Sequence, residues 1–308
     1  MTGVARALMI APHQDELRQL PARIRLAERL GVDEIWTDQL PDQRDATVVA
    51  ASLLSATRRA RVGTAILPIR LRHPVAMAQA AGTLAELSGG RFILGIGAGH
   101  RILTEFVLGE RDLSPVGAVR DYLTIVRGLL DKGTVVHEGR YFTARAEYRP
   151  PRLTVPVYLA ALGPQMIRLA AAYADGIVVY LCTPDIVRST LVPLLRNACA
   201  AVGRDPDEVP IMAVVPAYSG PETADRLARL QVSINGYRLL PAYRKVLEHI
   251  DGSGTGRDLA ERIALVGSAE QVRQGLDRYR AAGCVPVPSP MAGTDEDFAR
   301  TVEALYGR

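Results

Sequence analysis

The chain has 308 residues, 48% of them apolar and 23% charged, averages of a folded globular protein that exclude disordered, collagen-like and coiled-coil architectures. The net charge of +4 makes no basic patch, because arginines stand singly or in small groups (Arg58, Arg59, Arg61; Arg70, Arg72) among acidic residues, so no nucleic-acid partner is expected. Cys182, Cys199 and Cys284 are far apart and in no CxxC pattern, which suggests neither a disulfide framework nor a zinc site and fits a cytoplasmic protein. No stretch approaches the roughly 18 to 20 apolar residues of a membrane span.

Short aliphatic runs alternate with longer segments of i, i+3, i+4 periodicity, the pattern of βα units on a parallel sheet. Strands are predicted at Val4 to Ala11, Glu34 to Thr37, Arg61 to Leu67, Arg91 to Ile96, Val157 to Ala161, Gly176 to Leu181, Val209 to Val215 and Val285 to Pro288. Among the helices between them, Leu17 to Leu30 is closed by Gly31, and Val75 to Leu87 is entered through Pro74 and stopped by Gly89-Gly90. Ala46 to Thr57 and Gln165 to Tyr173 have the same periodicity. With no linker or composition break between them, these units predict a single α/β domain over residues 1–308, a (β/α)8 TIM barrel, in preference to an open doubly wound sheet. Val135 to Arg149 reads as a hairpin around Glu138-Gly139, and Gly220 to Arg262 as a partly helical insertion with a polar-glycine stretch from Asp251 to Gly256. Both insertions are expected on the C-terminal face of the sheet, where barrel enzymes build their sites.

Barrel topology directs attention to the residue after each strand. Gly95-x-Gly97-x-Gly99 lets backbone approach a ligand or simply relieves a crowded rim; it lacks the third spacing of a dinucleotide fingerprint. Leu162-Gly163-Pro164 leads into a helix whose free N–H groups could seat a phosphate, or it is an ordinary Pro-led helix start. Asp38 could bond a heterocycle or cap a turn. His13 and His100 both fall at strand ends and are candidate proton donors, whereas His137 and His249 belong to the insertions and His73 precedes a helix-starting proline. The histidines have no metal-binding spacing.

The segments Asp33 to Asp38, Val62 to Leu67, His73 to Gln79, Gly89 to Gly97, Pro156 to Pro164 and Leu265 to Val272 resemble the luciferase-like family, in order and in spacing. More narrowly, they resemble its coenzyme F420-dependent oxidoreductases, including the methylenetetrahydromethanopterin reductase branch. The resemblance implies a TIM barrel whose strand ends cradle a deazaflavin near Asp38, over a bulge at Ala65, Ile66 and Leu67 with a cis peptide at Ala65-Ile66. It also implies Gly97 and Ala98 in the cofactor site, with the phosphate at Leu162, Gly163, Gln165 and Met166. Sugar-phosphate dehydrogenases of the family carry His after the Asp and Glu at the place of His100; here Gln39 and His100 stand there, and Gln39 cannot shuttle a proton.

A reductase delivering hydride to an electron-poor C=C or C=N bond of a small-molecule or peptide-like organic substrate therefore fits better, with His100 as the first choice of proton donor and His13 the second. The alternatives are an FMN-dependent luciferase-like monooxygenase and a barrel that binds a flavin or deazaflavin without turnover. Family members commonly pair, and the Ala-rich helices Ala46 to Thr57 and Val75 to Leu87 suit either a homodimer contact or burial under an insertion.

Overall fold

The computed structural model describes residues 5–11, 17–40, 43–110, 114–251 and 257–307. The strands are β1 (Ala7–Ile10), β2 (Glu34–Thr37), β3 (Arg61–Thr64), β4 (Leu67–Pro68), β5 (Phe92–Gly97), β6 (Thr134–Glu138), β7 (Thr143–Glu147), β8 (Val157–Ala160), β9 (Gly176–Tyr180), β10 (Ile211–Tyr218), β11 (Leu265–Val266) and β12 (Val285–Pro290). All but β6 and β7 join one ten-stranded parallel sheet in the order β1-β2-β3-β5-β8-β9-β10, with β12 and β11 also on β10 and β4 on β5. The sheet curls until β12 lies beside β1. The last helix, Asp295–Tyr306, ties this side down, its Tyr306 Oη donating to the carbonyl of Ala7 at 2.6 Å.

The strands are apolar in nearly continuous runs because both of their faces are covered. One set of alternate residues, including Ala7, Met9, Trp36, Ile93, Tyr158, Val178, Met212, Val214 and Val287, packs inside the curl, while the other set meets the helices outside. Trp36 and Tyr158 dominate the interior with ring centroids 5.4 Å apart. Glycine opposite each makes the room: a Cβ at Gly63 would lie 2.5 Å from the Trp36 ring, and one at Gly176 would lie 2.4 Å from the Tyr158 ring. Gly63→Ala is therefore expected to destabilise the fold by about 1–3 kcal/mol, read as a lower denaturant midpoint at unchanged slope.

The predicted strand Arg61 to Leu67 is interrupted: β3 stops at Thr64, the Ala65-Ile66 peptide is cis, as the resemblance implied, and pairing resumes at Leu67 against Ile96. The Thr64 hydroxyl donates to the carbonyl of Gly95 and accepts from its N–H, each at 2.8 Å. The Thr64 carbonyl would be 1.7 Å from a Cβ at position 95, so the bulge fits only against glycine.

The expected hairpin is present as β6 and β7, but it does not leave a strand end. It follows helix Pro115–Lys132, which returns the chain to the opposite side of the sheet, and packs along that helix. Asp121 there accepts from Tyr141 N at 2.9 Å and contacts His137 Nε2 at 3.1 Å. Beyond the hairpin Tyr148 packs against Gly82 of helix Pro74–Ser88, so this insertion braces the outer helices, while its tip returns to the strand-end side, where Arg70 stands over the Phe142 ring at 4.9 Å. The second insertion folds as helices Thr223–Tyr237, Pro241–Asp251 and Arg257–Ile263; most of its polar-glycine stretch, residues 252–256, lies outside the described residues.

On the side opposite the strand ends Asp175 acts as a knot: its Oδ2 accepts from Val157 N at 2.8 Å and from Arg127 Nη2 at 2.5 Å.

Candidate active site at the strand ends

Asp38 and Gln39 leave β2 side by side and have different duties. The Gln39 side chain turns to helix Ala46–Ala56, its Oε1 accepting from Ala46 N at 3.0 Å, while Asp45 caps the same helix by accepting from Thr47 N at 2.8 Å. Gln39 is thus committed to a helix start, in keeping with a side chain that moves no proton. Asp38 is half-buried, and its carboxylate is close enough to the Tyr180 and Tyr237 phenols to disfavour their ionisation.

His100 follows β5 through Ala98 and Gly99 and stands before helix Arg101–Leu108 without capping it with its side chain. Its ring instead meets two tyrosines of the second insertion, Tyr237 at 5.5 Å and Tyr243 at 5.8 Å between centroids. Those two rings are 4.8 Å apart, and Tyr180 at the end of β9 lies 5.3 Å from Tyr237 and 6.4 Å from Tyr243. Burial lowers the pKa of His100 below the usual imidazole value, so the ring is neutral at neutral pH and carries its second proton less often than an exposed histidine. Burial, with a smaller contribution from Asp38, pushes the Tyr237 phenol up to about 12. Burial likewise raises Tyr180 and Tyr243.

Ala65, Ile66 and Leu67 form the bulge over β5, where a Cβ at Gly97 would lie 2.9 Å from Ile66 Cδ1 and from Ala160 Cβ. Glycine at 97 lets Ile66 settle against the sheet, with half-buried Ala98 next to it. One strand further on, helix Pro164–Tyr173 begins at Gly163 with no side-chain cap, and Ile167 N is the first donor turned back, to Gly163 O at 3.0 Å. Gly163, Pro164 and Gln165 are exposed, Leu162 and Met166 half-buried, and nothing lies within 4 Å of where a Gly163 Cβ would stand. An exposed helix start with unengaged N–H groups is an anion seat.

Among the predicted residues, Asp38 and His100 converge on one aromatic cluster, and the bulge and helix start flank the same strand ends. His13 lies outside the described residues. Tyr237 and Tyr243 were not anticipated, since both sit in an insertion with no recognisable motif; their only signal was two tyrosines flanking the Arg238 to Pro241 break between helices. Among the described residues no group of three His, Cys, Asp or Glu is placed to hold a metal ion, and no helix is long and apolar enough to cross a membrane.

The model of the luciferase-like monooxygenase family matches residues 3–285. The 5,10-methylenetetrahydromethanopterin reductase of Archaeoglobus fulgidus is 24% identical over 297 residues, covering 87% of this chain and 88% of that protein. The F420-dependent glucose-6-phosphate dehydrogenase of Beutenbergia cavernae is 31% identical over 228 residues, covering 68% of this chain and 67% of that protein. Among solved structures, an F420-dependent secondary alcohol dehydrogenase in complex with an F420-acetone adduct superposes with a TM-score of 0.84 at 20% identity, covering 100% of both chains, which shows a shared fold of the TIM-barrel type. With its bulge, its strand-end site and a family match over most of its length, the chain belongs to the luciferase-like family.

Proposed function

We propose that the chain is an F420-dependent oxidoreductase acting as a reductase on an organic substrate, in a closed (β/α)8 barrel with β12 and β1 at its seam. The observation that carries the reading is the uncapped, exposed helix start at Gly163, on the same side of the sheet as Asp38 and His100. It suits the phosphate of F420, and the relative at 24% identity is named a reductase while the one at 31% is named an F420-dependent dehydrogenase. Bound F420 supplies a hydride from the carbon at ring position five and exchanges electrons in pairs.

The chain's own residues then do three things. The N–H groups of Gln165 and Met166 hold the phosphate, with Leu162 and Gly163 beside it. Ala65, Ile66, Leu67, Gly97 and Ala98 support the ring, and Asp38 fixes its orientation. His100 handles the proton or hydrogen bond at the substrate, and Gln39, held at its helix, takes no part.

The test is a titration with F420 and, separately, with FMN, followed by absorbance, and then the loss of reduced cofactor when acceptors are added. Binding of FMN in place of F420 would favour a monooxygenase, and F420 binding with no acceptor consumed would favour a non-catalytic binder. Asp38→Ala is expected to weaken F420 binding about tenfold, the usual worth of a charged hydrogen bond, with a smaller effect on turnover at saturation.

We also propose a homodimer. Tyr148 covers part of helix Pro74–Ser88, but its Leu87 is 75% exposed and Val48 of helix Ala46–Ala56 is 68% exposed, so both helices offer apolar surface to a second copy. Light scattering at micromolar concentration should give twice the chain mass, and a monomer would overturn this assignment.

A further inference from the structure

Arg70 stands on the short turn Ile69–Leu71 that follows β4, on the strand-end side of the sheet. Its side chain is only 9% exposed. Phe142 and Tyr141 at the tip of the hairpin cover the guanidinium, their ring centroids 4.9 and 5.9 Å from Cζ. Its Nε lies 3.3 Å from Glu110 Oε2. That contact holds the two charges together without completing their hydrogen bonds: Nη2 of Arg70 and Oε2 of Glu110 are both buried, and neither has a hydrogen-bond partner. Buried polar atoms are nearly always paired, and an unpaired charged one is costly. An orphaned donor beside an orphaned acceptor therefore suits a group that supplies the complement of both.

Both side chains line one cavity of about 40 Å³, bounded also by Ala98, Gly99 and Thr104. A water-sized group takes up roughly 10–15 Å³ of such space, so the cavity accepts about three heavy atoms. Ala98 and Gly99 directly precede His100, which places the cavity beside the candidate active site. Its charge balance argues against a simple anion seat. Arg70 and Glu110 offset each other, and Glu105, a second carboxylate on the cavity wall, has a partner of its own. A carboxylate entering here would satisfy Nη2 and set a like charge against Glu110, and an ammonium would do the reverse at Arg70. An amide is flat, has three heavy atoms and presents an acceptor oxygen next to an N–H donor.

We propose that Arg70 and Glu110 receive an amide group of the organic substrate, its carbonyl oxygen accepting from Arg70 Nη2 and its N–H donating to Glu110 Oε2. The inference rests on the reading of the strand ends as a substrate site and narrows that substrate to a compound with an amide or lactam edge. Both residues select and orient the substrate and take no part in the chemical step.

The test is calorimetric titration of the intact protein, without cofactor, with the near-isosteres benzamide, benzoate and acetophenone. Benzamide offers an acceptor and a donor, benzoate acceptors and a charge, acetophenone an acceptor alone. Benzamide is expected to bind about tenfold tighter than either of the others, the usual worth of one hydrogen bond to a charged partner. Equal binding of benzamide and acetophenone, or tighter binding of benzoate, overturns the inference. Glu110→Gln keeps an acceptor and removes the charge, so benzoate should gain about tenfold while benzamide changes less than about threefold. No gain for benzoate also overturns it. Arg70→Met should weaken benzamide about tenfold, with its melting temperature as the check on folding; the parent and Glu110→Gln decide the matter if that variant does not fold. Fluorescence titration with F420 separates two sources of an amide edge, since the deazaflavin ring carries one as well. Arg70→Met is expected to keep F420 affinity within about a factor of two, and a loss of about tenfold would assign the group to the cofactor and overturn the substrate assignment. F420 binding by the parent without amide preference removes only this inference; amide preference without F420 binding removes the reductase reading and leaves the amide seat standing.

Discussion

Replacing His100 by alanine is expected to lower turnover about 10²-fold, with F420 affinity within about a factor of two of the parent. The expectation follows from position: His100 meets the insertion's tyrosines, while the proposed phosphate seat at Gly163 and the bulge at Ala65-Ile66 lie on other strand ends. Burial sets the pH behaviour. Because the folded pKa is depressed, an acceptor that needs a proton from His100 should be reduced faster as pH falls toward that value, with a plateau below it. The alanine variant should lose this limb. The same depression has a stability consequence with a definite sign: the unfolded chain takes up the proton more readily, so His100 costs the fold nothing well above its unfolded pKa and destabilises it progressively as pH falls below it. Normal turnover in His100→Ala would show that the proton or hydrogen bond at the substrate comes from elsewhere.

Gly163→Asp should separate binding from stability. Gly163 has φ −99° and ψ 159°, an ordinary N-cap conformation, and a Cβ there would meet nothing within 4 Å, so the protein accommodates the new side chain without strain. The carboxylate then accepts bonds from the helix N–H groups and interacts favourably with the helix dipole, raising stability by a few tenths of a kcal/mol relative to glycine. The same carboxylate occupies the donors the phosphate needs and repels its charge. F420 affinity is expected to fall at least tenfold while the melting temperature holds or rises. A fall in both would mean that the mutation acts through the fold, and unchanged affinity would mean that the phosphate is held elsewhere.

The fold was legible because strand-like and helix-like periods alternate cleanly, and Gly31, Pro74 and Gly89 mark helix boundaries by local backbone chemistry. Strand ends were less well placed. β10 runs to Tyr218, beyond the expected Val215, because β12 and β11 both pair with its last residues, and β11 was not foreseen at all. Pairing partners of that kind leave no mark on the strand itself. The hairpin was recognised by its alternation, but not its departure from the end of helix Pro115–Lys132 in place of a strand, since that depends on the direction of the helix before it. Asp38, His100 and Gly163 could be found by their places after strands. Tyr237 and Tyr243 could not, because they meet His100 through a contact spanning more than a hundred residues of sequence. The complementarity of Gly63 with Trp36 and of Gly176 with Tyr158 was equally silent, since each partner alone reads as an ordinary strand residue.

The insertion that carries those tyrosines has its own apolar interior. Leu230 and Ile234 of helix Thr223–Tyr237, Leu247 and Ile250 of the next helix, and Leu259 and Ile263 of the third are all buried, and the first and third helices pack directly on each other. The parts of the sheet that must not change, the Trp36 and Tyr158 rings with their glycines and the Asp175 knot, lie below the strand ends or at the far side. Under the proposed function, the insertion's share of substrate preference and the integrity of the sheet would be written in separate stretches of chain. Such a segment can drift, or be exchanged for a relative's, and re-tune what enters the site at little risk to the scaffold, a form of modular evolvability that a site built wholly from strand residues would lack.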